Sequence, residues 1–336
     1  MTLYNVSSGA TDSGLILVVC DVLRVGGGGS AIDITLAGGT EIVSSGGVVS
    51  GTTVSSGGVE YVSYGGVTSG TTVSSGGVES VSFGGVTSGT TVSSGGTEVV
   101  SGIATGTIVG SGGTQVLTGA GAASGTTVSS GGVEYVSGGL ASGTTVSSGG
   151  ELIALLYGAV SGATIDSGGT LITLAGASNI SYTASTGATI ISAYMIVDSG
   201  GVLVSAIDSA TLPDFAVGSG EVLTVYSGGT VESAVISSGK IEVSGGGVVT
   251  GTTISSGGTE YVLFSGIASG TTVSSGGTEV VSGIASGTIV GSGGTQILIE
   301  GGYGSGTTVS FGGVQNVSSG GFAAATTVSS GRSKCF

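Results

Sequence analysis

Apolar residues in this chain come in short runs, separated by paired glycines and by serines and threonines, and the same spacing returns many times. One unit, Gly51 to Ser69, reads GTTVSSGGVEYVSYGGVTS. It holds two β-prone runs, Thr52–Ser55 and Val59–Ser63, with glycine pairs at 57–58 and 65–66. β-branched residues fit a pleated strand, and glycine supplies the positive φ that tight corners need. No 3.6-residue period is present, and each run is too short for a helix. A strand this short is unstable alone, so each must pair with its own copies in the units before and after.

The Gly-Thr-Thr-Val-Ser-Ser-Gly-Gly block begins at Gly51, Gly70 and Gly89 and again at Gly125 and Gly143, with variants at Gly106 and Gly162. Degenerate copies lie near Tyr194, Asp214 and Ser233, and clear ones resume at Gly251, Gly270, Gly287, Gly306 and Ala325. Two weaker copies precede, near Gly14 and Ile32. A larger duplication overlies the repeat: Gly89–Leu117 matches Gly270–Leu298 at all but two positions, and a 17-residue step recurs in both copies.

The expected fold is all-β, a single-stranded parallel β-helix (β-solenoid) of roughly 18 rungs of about 19 residues. At one rung per strand spacing it would be roughly 85 Å long. The expected organisation is degenerate rungs or a cap over 1–50, a first regular array over 51–175, irregular middle rungs over 176–222, a second array over 223–331 and a tail over 332–336. The middle contains the single proline, Pro213.

Two columns define the expected core. Val54 is matched by Val73, Val92, Val109, Val128, Val146, Ile165, Ile254, Val273, Val290, Val309 and Val328. Val62 is matched by Val81, Val100, Leu117, Val136, Val262, Val281 and Val317. The second strand also carries an acidic column: Glu41, Glu60, Glu79, Glu98, Glu134, Glu242, Glu260 and Glu279, with Gln115, Gln296 and Gln315 in its place elsewhere. Strict alternation from Val62 would point these carboxylates inward, at a prohibitive cost for stacked like charges. The expectation is therefore a bulge or corner near the glycine pair that turns them outward. There they would form a surface ladder, either an interaction face for a cation or partner or a solubilising row that stops edge sticking.

Composition narrows the chemistry. The 336 residues include 75 Gly, no His and no Trp, with four Lys+Arg against 19 Asp+Glu, a formal net charge of −15. Nucleic acid and anionic membrane are poor partners for such a polyanion, and no membrane insertion is expected. The serines have no His or Lys base beside them, and no phosphate loop or calcium repeat is present, so no catalytic residue, cofactor or metal is expected. The scattered aspartates Asp198, Asp208 and Asp214 gather in the irregular middle, the one place where a polysaccharide-active β-helix enzyme could hold its carboxylates. In the Thr52/Thr53 pairs one hydroxyl must face outward, because adjacent residues of a strand point to opposite sides. Cys20 is expected to pack as a small hydrophobe in the run Leu15–Cys20. Cys335 lies at the opposite end of the array, too far for a disulfide with it.

The repeat SGTTVSSGGVEYVSxGG resembles the repeats of the adhesin-involved-in-diffuse-adherence (AIDA) type, found in passenger regions of self-associating bacterial autotransporters, over nearly the whole chain. That resemblance implies a secreted or cell-surface β-solenoid used in adhesion, autoaggregation and biofilm, often bearing O-linked heptose on serine. Ser55, Ser56, Ser74 and Ser75 are the matching acceptor candidates. Met1–Ser8 lacks a basic leader and no run of long alternating strands marks a translocating barrel, so a complete autotransporter is not expected. The opening MTLYNVSSGATDSG and the ending Lys334-Cys335-Phe336 resemble a second context, in which such repeats precede a Hint domain that begins Cys-Phe. The functional expectation is a non-catalytic extracellular solenoid that associates with itself through repetitive Ser/Thr/Gly-rich faces, laterally or end to end, or adheres to surface or matrix polysaccharide. The alternatives are a passive spacer for a further C-terminal domain and the polysaccharide-active enzyme.

Overall fold

The computed structural model describes residues 2–200 and 202–329. The chain divides into two compact units, Met1–Ile191 and Ser192–Phe336, and both are parallel β-solenoids. Together they make about 17 turns of roughly 19 residues.

Each regular turn carries three strands. In the turn that starts at Thr53 these are Thr53–Ser55, Val59–Val62 and Val67–Ser69. Equivalent strands of successive turns pair in parallel and in register, as in Val59↔Val78, Glu60↔Glu79 and Val62↔Val81. The first unit thus has three sheets: sheet 1, of ten strands like Thr53–Ser55; sheet 2, of eleven strands like Val59–Val62; and sheet 3, of nine strands like Val67–Ser69. The second unit repeats the plan with seven, eight and seven strands. The third strand is additional to the two read from the sequence. Its residues alternate only over Val67–Ser69, too briefly for a periodic signal.

The Ser-Ser-Gly-Gly corner shows why its residues are fixed. Ser56 and Gly57 both have positive φ, 53° and 77°, and Gly58 N–H donates to Ser55 C=O at 2.8 Å, a type I′ turn. Gly58 itself is needed for space, since a Cβ there would lie 2.5 Å from Leu36 O of the preceding turn. The first glycine of the pair serves the backbone angle and the second serves stacking.

Both predicted core columns are buried, apart from Val317 and Val328 in the last described turn, which no further described turn covers. Sheet 3 adds a third inward column: Val49, Thr68, Thr87, Ala104, Ala123, Ala141 and Val160.

Among the described strands the parallel pattern breaks at one hairpin. Met195–Ser199 and Val202–Ile207 form an antiparallel hairpin, and Met195–Ser199 also pairs antiparallel with Glu221–Val225.

Candidate functional site

The acidic column points inward. No bulge interrupts Val59–Val62: Glu60 and Val62 face the core while Val59 and Tyr61 face out, as strict alternation requires. Glu41, Glu60, Glu79, Glu98, Glu134, Glu260 and Glu279 are all fully buried, and the expected surface ladder is corrected on this point. Glu242 is different. Ile241 pairs with Glu260, so Ile241 takes the inward place, and Glu242 lies half-buried in an ion pair with Lys240 at 2.6 Å.

The burial is tolerated because a file of threonine hydroxyls faces the carboxyls. In the first unit the first threonine of the Thr-Thr pairs, at Thr52, Thr71, Thr90, Thr126 and Thr144, is buried, as is Thr107 of the variant turn, while Thr53 faces outward. Thr52 Oγ1 donates to Glu41 Oε2, and Thr71 Oγ1 to Glu60 Oε2, each at 3.0 Å. Glu79 accepts from three hydroxyls: Thr87 at 2.7 Å, Thr90 at 2.9 Å and Thr68 at 3.1 Å. Gln115 Nε2 donates to Glu98 Oε2, and Gln296 Nε2 to Glu279 Oε2.

Burial raises every one of these acids above its ordinary range. Glu41, Glu134 and Glu279 are pushed up to about 7. Glu260 reaches about 8, with the neighbouring Glu279 charge adding to the effect of burial. Glu60 and Glu98 lie well above the usual carboxyl value, burial again leading and neighbouring glutamates adding to it. Glu79 is raised too, against the pull of its three hydroxyls. Neutralising these seven groups would lower the formal net charge from −15 to about −8.

With these seven acids inside, the remaining acids lie away from part of one outer face, which is free of charge. From Val48 to Ser161 no strand of sheet 3 carries a charged residue. Its outward side chains form two parallel rows. One is aliphatic: Val48, Val67, Val86, Ile103, Ala122, Leu140 and Ala159. The other is hydroxylic: Ser50, Ser69, Ser88, Thr105, Ser124, Ser142 and Ser161. Val48 is 48% exposed and Ile103 47%. In the second unit Val248, Ile267, Ile284, Tyr303 and Phe322 continue the apolar pattern. Hydroxyl-rich faces were expected from the sequence, but not this third sheet or the aliphatic row beside its hydroxyls. Its signal is the recurring apolar–small–hydroxyl triplet before the corner glycine, as in Val67-Thr68-Ser69-Gly70.

Beside the row, the 17-residue turn has a shorter corner, Ser101-Gly102, where the two preceding turns have Gly65-Gly66 and Gly84-Gly85. A cleft of about 400 Å³ opens there, lined by Tyr64, Phe83, Ile103 and Ala122.

The remaining candidates are placed as follows. Ser56 and Ser75 are exposed at turn tips, whereas Ser55 and Ser74 are half-buried. Asp198 lies on the hairpin strand, and Asp208 and Asp214 flank the strand Thr211–Pro213. Among the described residues no group of three or more acidic, Cys or His side chains could hold a metal ion. Cys20 does not pack inside; it is exposed at a corner with φ 73°. Cys335 and the Hint-like ending lie outside the described residues. No helix among the described residues is long and apolar enough to cross a membrane.

No protein-family model and no curated protein matches the chain. Among solved structures it is similar to a TibC-catalysed hyper-glycosylated TibA fragment, with 28% identity over 96% of this chain and 100% of that one, at a TM-score of 0.42. The fold itself stands on the strand ladders described above. The repeats, which in sequence resemble those of the AIDA type, fold as the turns of parallel β-solenoids.

Proposed function

We propose that this chain is a non-catalytic, adhesin-type β-solenoid of the cell surface or extracellular space that associates laterally with copies of itself through sheet 3. The observation that carries this reading is the uncharged face with its paired aliphatic and hydroxyl rows. Both rows repeat once per turn, about every 4.8 Å. A partner can meet such rows in register along their length only if it has the same repeat, and a second copy does. Burying seven carboxyls removes them from the surface where they would repel that copy. Each turn contributes little, and the sum over many turns sets the affinity. The AIDA-like repeats support the adhesive setting and O-linked sugar on serine. Exposure favours Ser56 and Ser75 as acceptors over Ser55 and Ser74. A sugar at those tips lies between sheets 1 and 2 and leaves sheet 3 free.

The test is sedimentation velocity over a concentration series, comparing the wild type with the triple variant Val67→Lys, Val86→Lys, Ile103→Lys. Outward lysines leave the core intact, so the variant should stay folded and monomeric where the wild type forms larger species. A wild type that stays monomeric at every concentration would overturn the reading.

A further inference from the structure

Among the described residues no Lys or Arg side chain reaches the acid column. In the first unit Glu41, Glu60, Glu79, Glu98, Gln115 and Glu134 run along sheet 2 between Leu23 and Leu152, with Tyr4 beyond Leu23. The buried threonines face them from the corner before sheet 1. From sheet 3 they are faced by Thr68, Thr87 and the apolar Val49, Ala104, Ala123 and Ala141. In the second unit Glu260, Glu279 and Gln296 follow Ile241, opposite Thr252, Thr271, Thr288 and Thr307, with Val249, Ala268 and Ala285 on the third side. Of the basic residues described, Arg24 is exposed and Lys240 is engaged by Glu242 outside the column.

Paired carboxyls on successive turns are about one strand spacing apart, roughly 4.8 Å, and like charges that close cannot all ionise in a dry interior. Glu41, Glu60 and Glu134 each keep one buried oxygen, Oε1, with no donor among the described residues. A neutral acid bears this better than a carboxylate does. Gln115 and Gln296 show that the column accepts a neutral donor, since each Nε2 gives its hydrogen bond to the glutamate of the preceding turn. A protonated carboxyl is the same shape and can donate in the same way.

We infer that the acid column is a proton-loaded spine: the turns close on protonated carboxyls stacked without a counter-ion, so the solenoid is tightest in mild acid and loosens as alkali removes the protons. The sign follows from where the proton is held more firmly. These acids bind it more tightly folded than unfolded, so their contribution is full below about 4.5 and is lost as pH rises through about 7 to 8. Each captured proton tilts the folding equilibrium by up to about tenfold per pH unit inside that window. This inference is independent of what the outer faces bind.

The experiment is denaturant unfolding of the full chain from pH 4.5 to 9, for the wild type, Glu60→Gln, Glu260→Gln and the half-exposed control Glu242→Gln. The wild-type folding constant should fall at least severalfold per pH unit between 5 and 8. Each buried variant should have a shallower slope, and the control should keep the wild-type slope. A wild-type constant that is flat or rises over this range, or buried variants with the wild-type slope, would overturn the inference. Because a buried variant could fail to fold, proton uptake is also measured directly, by refolding the wild type in weakly buffered indicator at about pH 6.5. Uptake supports the spine; no uptake, or release, overturns it.

Discussion

Gln115 Nε2 donates to Glu98 Oε2 at 2.7 Å, and the duplicated pair Gln296–Glu279 reproduces that bond at the same length. In each pair an amide takes the place of a second acid, and the glutamate gains a donor instead of a competing charge. Thr126 Oγ1 then donates to Gln115 Oε1 at 3.2 Å, so both ends of the amide are used.

Replacing Gln115 by Glu should therefore act as a pH-dependent lesion. At pH 5 the new acid is protonated and stability should stay close to wild type. At pH 8 the column must hold one more ionising group, at a cost of about 1–3 kcal/mol. Denaturant midpoints at the two pH values check this; an equal loss at both would show that shape, not charge, limits the site.

Glu79 is the best-solvated acid of the column, through Thr68, Thr87 and Thr90. Thr87→Val removes the closest donor with little change of shape. The Glu79 pKa should move further upward and stability should fall by roughly 1–3 kcal/mol. Carboxyl-carbon NMR titration reads the first effect and thermal unfolding the second.

The two corner glycines should differ. Gly57→Ala meets open space and pays only for positive φ, about 1–2 kcal/mol. Gly58→Ala drives a methyl against Leu36 O, and adjacent turns must part to admit it; a loss of about 1–3 kcal/mol at that site alone, exceeding that of Gly57→Ala, is expected. Melting temperatures of the two variants give the ranking, and the reverse order would refute the assignment of angle to one glycine and stacking to the other.

Self-association through sheet 3 should respond weakly to salt, because that face carries no charge over Val48–Ser161. Light scattering at fixed protein concentration and rising ionic strength checks it. A steep rise with salt would instead mean that screening of charges elsewhere on the surface controls the encounter.

The repeat, its period and the aliphatic columns at Val54 and Val62 were legible in the sequence, because a stacked coil places equivalent residues above one another and so leaves a linear record. The same record contained the acidic column but not its direction. Alternation from Val62 pointed Glu60 inward, and the cost of stacked charge argued against it. That argument took the acids as ionised and alone. The folded chain brings Thr71, eleven residues on in sequence, to 3.0 Å from Glu60, and burial itself shifts the acid toward its neutral form. Neither condition exists until the turn closes. The outer face was hidden for a related reason. Val67-Thr68-Ser69 is too short to announce a strand, and only its pairing with Val48–Ser50 and Val86–Ser88 makes it one sheet with a continuous apolar row. Local sequence thus determined what repeats, while the closing of three strands around a shared interior decided which way the carboxyls point and which face is left uncharged.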